Sequence, residues 1–423
     1  MKRWTGLLGG LVVLVTAQIS LAATLTVTPQ SNLQAHIDHA QDGDELVLSP
    51  GDYHGSVIVD RSLRITGQPG ARIIGDHKNS VIRVIAPGVT ISGLLVSGSG
   101  EDLGAHNAGV LLDKKAHDAV VENNYFKDNL FGVFVQGAKR AFVLNNKIDG
   151  MQTRRLNERG NGIHLWNTTG TRIDGNKVRF GRDGIFITTS HGNALLNNHF
   201  THVRFAIHYM YANKNKVMGN YSEGNHLGYA LMFSKKLEVA HNRSVADRDH
   251  GLMLNFTHRS NIYENLVEQG NADKGPGKCL FLYNASKNEI RDNHLQGCDI
   301  GIHFTAGSQD NLIHGNAFVG NRKQVKYVGT RHLEWSVKGR GNYWSDHPAF
   351  DLNKDQRADA AYRPNDMMDV VMWRYPLARL LTTSPAVQTL RVAQRRFPAL
   401  LPGGIVDSYP LMKPVAQTGR EGG

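Results

Sequence analysis

Gly184-Ile-Phe-Ile, Ala206-Ile-His-Tyr, Gly228-Tyr-Ala-Leu and Gly251-Leu-Met-Leu begin at steps of 22, 22 and 23 residues. An asparagine follows each of the first three at an offset of 14, at Asn198, Asn220 and Asn242. A fixed step of this size marks a solenoid, in which each unit buries its apolar face only against its neighbours. One coil of a parallel β-helix accounts for the period, because one chain turn supplies a few short strands and the corners between them.

Working outward, the same column takes in Asn124, Asn146, Asn176, Asn265, Asn293 and Asn316. Two steps are long: 30 residues from Asn146 to Asn176 and 28 from Asn265 to Asn293. They leave extra loops at 150–160 and 270–277, and extra residues in a solenoid project from one face as a binding rim. Met151, Arg154, Arg155 and Arg159 make the first loop basic. The recurring asparagines read as structural, since their amides bond nearby backbone at corners and stack up a column. With coils ~4.8 Å apart, twelve or thirteen of them give a rod of roughly 55–60 Å.

Within each coil the residues after the Gly position alternate. Val133/Val135, Ile163/Leu165, Ile185/Ile187, Ile207/Tyr209, Leu252/Leu254 and Ile302/Phe304 are apolar and point inward. The residues between them point outward: Leu111, Phe134, His164, Phe186, His208, Ala230, Met253, Phe281 and His303. One outward position further on stand Asp113, Gln136, Trp166, Thr188, Met210, Met232, Asn255, Tyr283 and Thr305. This face is rich in His, Met and aromatics.

The ends differ. Lys2 and Arg3, the apolar run Leu7–Val15 and Ser20-Leu-Ala22 form a secretory signal over residues 1–22. No other segment is apolar enough to span a bilayer, so the expected product is an exported, soluble chain. Its formal charge falls from +11 to +9 when Lys2 and Arg3 are removed. Export argues against nucleic acid as the partner for that charge; anionic lipid, acidic polysaccharide or an acidic protein fits better. Thr24–Val27 is a strand, and Ser31 is placed to cap a helix to about Ala40 that plugs the rod's open end with Leu33 and Ile37. The β-helix is expected over 23–342, with an extension for capping and docking over 343–423. Pro376–Leu381 and Pro385–Arg396 each start on a proline, as helices do, and Ser384 can cap the second. Pro385, Leu390, Arg391, Arg395 and Phe397 are its candidate partner-binding residues.

The outward face bears on three chemistries. Sugar-cleaving enzymes need two carboxylates about 5–10 Å apart, whereas Asp183 and Asp249 fall three coils apart, roughly 14 Å. A lyase or epimerase needs a base beside a charge neutraliser, and only His208, Tyr209 and Arg204 offer themselves. Met210 and Met232 occupy equivalent positions on adjacent coils, with His208 on the same strand face and Met253 two coils on. That set of thioethers and an imidazole suits soft Cu(I). Taken alone, an apolar contact surface is the simpler account of it, as is a plain surface role for His164 and His303. Asp351, Asn353 and Asp355 begin a calcium-loop spacing, but Gln356 stands where the sharp turn calls for Gly, which argues against calcium. Cys279 and Cys298 fall on successive coils about three residues out of phase, a spacing that permits a bridge without favouring it.

The last third of the chain carries a resemblance. Ile300-Gly-Ile-His-Phe-Thr-Ala-Gly-Ser308, Gln324-Val-Lys-Tyr-Val-Gly-Thr330 and Gly339-Arg-Gly-Asn-Tyr-Trp-Ser-Asp346 resemble the NosD family. So do Tyr362-Arg-Pro-Asn-Asp366, Ser384-Pro-Ala386, Gly403-Gly-Ile-Val-Asp-Ser408 and Pro410-Leu-Met412. These are periplasmic accessory proteins for maturation of the copper enzyme nitrous oxide reductase. The resemblance implies a right-handed β-helix in the periplasm, held at the membrane by an ABC transporter's membrane subunit with its ATPase. It further implies the reductase and a copper chaperone as partners and a role in building copper or copper–sulfur centres. It supplies no metal ligands, so Cu(I) at His208, Met210, Met232 and Met253 is an inference from the residues. A mannuronan-epimerase-like or lyase-like enzyme is the alternative on the same fold.

Overall fold

The computed structural model describes residues 22–269, 277–327, 329, 331–381, 383–397 and 403–415. The signal segment, apart from Ala22, and most of the 270–277 loop lie outside them. Short strands follow one another in threes, and each pairs in parallel with the strand one coil later. The result is three parallel sheets of 13, 13 and 12 strands, here called first, second and third in the order the chain meets them within a coil. In the coil around Asn198 these are Ala194–Leu196, His199–Thr201 and Phe205–Met210. The chain is thus an all-β parallel solenoid, consistent with a right-handed β-helix. The coils start at Thr24–Val27, which pairs with Glu45–Leu48, well before the regular spacing begins near Gly109.

Alternation sets the core. Ile185, Ile187, Ile207, Tyr209, Leu252, Leu254 and Ile302 are fully or almost fully buried and belong to one continuous apolar cluster running the length of the rod. Register is strict: Ile185 faces Ile207, and Tyr209 faces Leu231. Both sheet partners of a strand are supplied by neighbouring coils, so slipping by one residue would turn the apolar set outward.

The first corner, between the first and second sheets, carries the asparagine ladder. Asn198 donates its main-chain N–H and its side-chain amide to Asn220 Oδ1, both at 3.0 Å, and bonds the Ile173 carbonyl at 3.1 Å. Asn220 repeats this towards Asn242, and so on to Asn316, which donates to Asn342. The left-handed backbone falls on the residue before each asparagine, as at Asn197 (φ 51°) and His241 (φ 55°), so the asparagine itself serves as hydrogen-bonding spine.

The second corner corrects the reading of the cysteines: Cys279 and Cys298 are bridged, with Cα atoms 5.7 Å apart. Cys279 points in from a third-sheet strand, while Cys298 sits on the corner before that sheet in the next coil, in line with Asn321. A corner side chain leans into the rod, so a three-residue phase difference is what lets the sulfurs meet. Closing a loop of 19 residues stabilises by about 3 kcal/mol in the chain-entropy account.

Helix α1 (Leu33–His39) buries Leu33 and Ile37 in the end of the core, but Asn32, not Ser31, caps it, accepting from the Ala35 N–H. The tail is less separate than expected. Tyr343–Trp344 still pairs with Ala317–Phe318, and Gly404–Val406 returns to pair with His332–Glu334. Asp407 then sits fully buried at the end of the asparagine ladder, where its Oδ2 accepts from the Asn342 N–H (2.7 Å), the Asn342 side chain (3.2 Å) and Trp344 Nε1 (2.8 Å). Helix α2 (Met367–Arg374), which the proline-based reading missed, starts from a capping box between Asp366 and Asp369. Helix α3 (Pro385–Arg396) is capped by Ser384 as expected.

Candidate functional site

The outward face of the third sheet is not uniformly open. Loop 100–107 and the 150–160 loop fold over its N-terminal half. There Ala108, Leu111, Leu130, Phe131, Phe134 and Met151 form a second, smaller apolar cluster outside the rod. The expected basic rim is therefore pinned in place: Arg154 pairs with Glu101, and Arg159 bonds the carbonyls of Arg154, Phe180 and Gln152. His106 stacks on Phe134 (4.5 Å between centroids), Phe134 lies tilted against His164 (4.3 Å), His164 meets Phe186 edge-on (4.8 Å) and Phe186 lies tilted against His208 (4.7 Å). His164 is no plain surface residue; burial, with repulsion from His106 and Arg182, pushes its pKa down to about 3. Burial likewise pushes His303 down to about 4.

The column ends in the one place where it becomes chemically versatile. Asp183, one of the two carboxylates that lie three coils apart, is fully buried beneath His208. Its Oδ2 lies 3.0 Å from His208 Nδ1, and Arg204 grips both oxygens at 2.8 and 2.7 Å. Burial alone would raise the Asp183 pKa, but the hydrogen bonds from His208 and Arg204 outweigh it and hold the carboxyl below its ordinary value. An ionised carboxylate only accepts, so His208 donates to it from Nδ1, and Nε2 is the ring nitrogen not engaged with Asp183. A carboxylate behind an imidazole in this way fixes tautomer and ring orientation at metal sites. Nothing in the sequence distinguishes this acid from a rim acid; the pairing of Asp183 with Phe205 on the next coil is the feature that brings it under His208.

Register places the rest. His208, Ala230 and Met253 run up one outward column, and Met210, Met232 and Asn255 up the next. Ala230, outward-facing yet fully buried, marks where the surrounding side chains close over a small residue. His208, Met210, Met232 and Met253 are each half-buried around it. Among the described residues no group of three or more His, Cys, Asp or Glu side chains is placed to hold a metal. A metal here would rely on the thioethers and one imidazole, a donor set that suits Cu(I). In the Asp351 loop the carboxylates accept backbone N–H groups of their own turn, Asp351 from Asp355 and Gln356, and Gln356 takes the left-handed φ of 68° without being Gly.

Other carboxylates on this face are engaged singly: Asp249 lies 2.9 Å from His250, and Asp299 pairs with Arg322. Tyr209 points into the core and offers nothing to a substrate. On the tail, Arg391 pairs with Asp366 at 3.0 Å and ties α3 to α2. Pro385 and Phe397 are exposed and Leu390 is half-buried, while the Arg395 side chain lies outside the described residues. Leu377 and Leu380, 83 and 82% exposed, are the more open apolar groups, and sequence reasoning passed over them.

A rod of stacked coils that carries its outward side chains in fixed columns defines the class, a parallel β-solenoid protein. Residues 144–349 match the family described as "Periplasmic copper-binding protein (NosD)". The "Probable ABC transporter binding protein NosD" of Stutzerimonas stutzeri is 44% identical over 375 residues, 86% of each chain. Its Pseudomonas aeruginosa counterpart is 40% identical over 381 residues, covering 88% of this chain and 89% of its own. The chain belongs to the NosD family. In shape it is similar to the family 28 exopolygalacturonase of Yersinia enterocolitica (TM-score 0.59, 10% identity, 73% of this chain and 77% of that one). It is also similar to the mannuronan C-5 epimerase AlgE4 A-module of Azotobacter vinelandii (TM-score 0.52, 13% identity, 70% and 92%). At such identities these share the fold alone. Among the described residues no helix is long and apolar enough to cross a membrane.

Proposed function

We propose that this chain works in the periplasm as the copper-handling partner of an ABC transporter, in assembly of the copper centres of nitrous oxide reductase. His208, oriented by buried Asp183, would hold Cu(I) with Met210, Met232 and Met253, taking it from a copper chaperone and passing it on to the reductase. The observation that carries this reading is the Asp183–His208 contact of 3.0 Å, which orients an imidazole on the strand face that also carries the methionines. The family description and the names of the relatives support the copper and transporter halves of it. A competition titration with a Cu(I) chelator tests it: Met210→Leu with Met232→Leu should weaken binding at least ~10-fold, or about 1.4 kcal/mol, without lowering the melting temperature. Unchanged affinity would remove this site. Turnover of alginate or pectate by the mature chain would instead favour the polysaccharide-enzyme alternative.

Docking to the transporter's membrane subunit, which its ATPase serves, is assigned to the tail, through Leu377, Leu380, Pro385, Leu390, Arg395 and Phe397. Truncation after Phe350 would not test this, because it also removes Asp407 from the ladder. Leu377→Asp with Leu380→Asp is the cleaner variant. It should abolish co-purification with the membrane subunit while leaving melting unchanged, and retained co-purification would place docking elsewhere.

A further inference from the structure

The third corner, where the chain leaves the third sheet, carries a feature that neither the copper face nor the tail explains. Tyr211, Phe233 and Phe256 occupy one corner position on three successive coils, each with left-handed backbone (φ 56°, 49° and 50°). Gly137, Asn167, Thr189 and Asn284 hold that position on other coils with the same left-handed backbone. Three aromatic rings are held in that turn, with Tyr211 54% and Phe256 37% exposed and Phe233 half-buried between them. Small or polar residues close the same turn on four other coils, so the turn itself does not call for rings.

The rings form a ladder. Tyr211 and Phe233 stack at 5.1 Å and 25°, Phe233 and Phe256 at 5.2 Å and 9°, and Tyr283 meets Phe256 edge-on at 5.9 Å. Their faces are turned to one another, so what reaches solvent is a ridge of ring edges. A sugar or a nucleobase would need the faces, whereas edges suit apolar side chains, thioethers and carbonyls. Three residues after the ring on each coil stands an exposed cation: Lys214, Lys236, Arg259 and, beyond Asn284, Lys287. None of them takes part in a described ion pair; the nearest such pair, Lys216–Glu238, lies on the first sheet.

We propose that this ridge, with its parallel row of cations, is the docking surface for a protein whose contact face is an apolar groove bordered by carboxylates. Apolar edges at the centre and charge along the rim are how protein interfaces combine affinity with orientation. A protein is favoured over a bilayer because the ridge continues in sequence and register from Met210 and Met232, which gives a partner one surface spanning two columns. The proposal stands whether or not those thioethers bind copper.

The test places p-benzoylphenylalanine at position 283 of the full chain and irradiates cells that export it. The expected product is an adduct with a protein segment in which Asp or Glu flanks apolar residues. Its yield should fall at least ~10-fold in Y211N/F233N/F256N and in K214E/K236E/R259E/K287E. The triple asparagine variant should melt no lower than its parent, since asparagine already serves this corner at 167 and 284. A lower melting temperature would make the ladder structural and overturn the proposal. So would an adduct with phospholipid, with a second copy of this chain or with a segment lacking carboxylates, no adduct at all, or a yield indifferent to charge reversal. Cu(I) affinity measured on the same variants should not change, so failure of the copper site and failure of this surface are separately visible.

Discussion

Asp407→Ala should unravel the C-terminal coils at a cost of about 3–5 kcal/mol, the largest stability effect expected from any single tail residue. The carboxylate is the acceptor for three buried donors, two on Asn342 and one on Trp344. Each buried donor left unsatisfied costs about 1–3 kcal/mol, and neighbouring losses do not fully add. In a solenoid the damage stays local, because each coil contacts only its neighbours. Hydrogen exchange should therefore show lost protection across the strands Leu312–His314, Ala317–Val319 and Tyr343–Trp344. The strands of the first half should keep theirs. Burial pushes the Asp407 pKa up to about 6. A raised carboxyl pKa means its contribution is complete below an ordinary carboxylate pKa of about 4 and weakens as the pH rises through 6. Asp407→Asn should remove that slope. Equal exchange in wild type and Asp407→Ala would show that the ladder needs no terminal acceptor.

Asp183→Asn is expected to lower Cu(I) affinity 10–100-fold, the range found when the group behind a metal-bound histidine is altered. The substitution keeps the shape and removes the charge that fixes the Nδ1 proton of His208 and neutralises Arg204. Leaving a partly buried guanidinium without its carboxylate should also cost up to about 3–5 kcal/mol, so affinity has to be read on protein shown to be folded. His208→Asn is the companion variant: it should lose the copper affinity while leaving the Arg204–Asp183 pair intact. If Asp183→Asn binds Cu(I) as tightly as the parent, His208 is not the imidazole ligand.

The solenoid was readable from sequence because period, inward alternation and corner asparagines all repeat, and each repeat is an independent statement of the same constraint. The outward columns were readable for the same reason; Met210 and Met232 face each other as their spacing required. What escaped were features with no repeat behind them. Asp183 and Asp249 look alike as letters, yet one is sealed under His208 and the other is open beside His250. The spacing leaves the disulfide open, because strand phase does not govern a corner residue such as Cys298. Helix α2 was missed because an Asp366–Asp369 capping box lacks the proline that announced the other two tail segments. Arg391 read as a free basic group because its partner, Asp366, lies 25 residues away in a segment with no pattern.

The return of the tail to the end of the rod has a consequence for assembly. The last coil of a β-helix exposes a full set of strand edges and a waiting asparagine column, a template on which the first coil of another copy could continue. Here Asp407 takes the place the next asparagine would hold, and Gly404–Val406 lies alongside His332–Glu334 near that end. Trp344 is covered by Tyr362, stacked at 4.6 Å. An acid with no onward amide to donate ends the column chemically as well as sterically. The fold-back thus closes that end of the rod, leaving the last coil without an open place in its asparagine column.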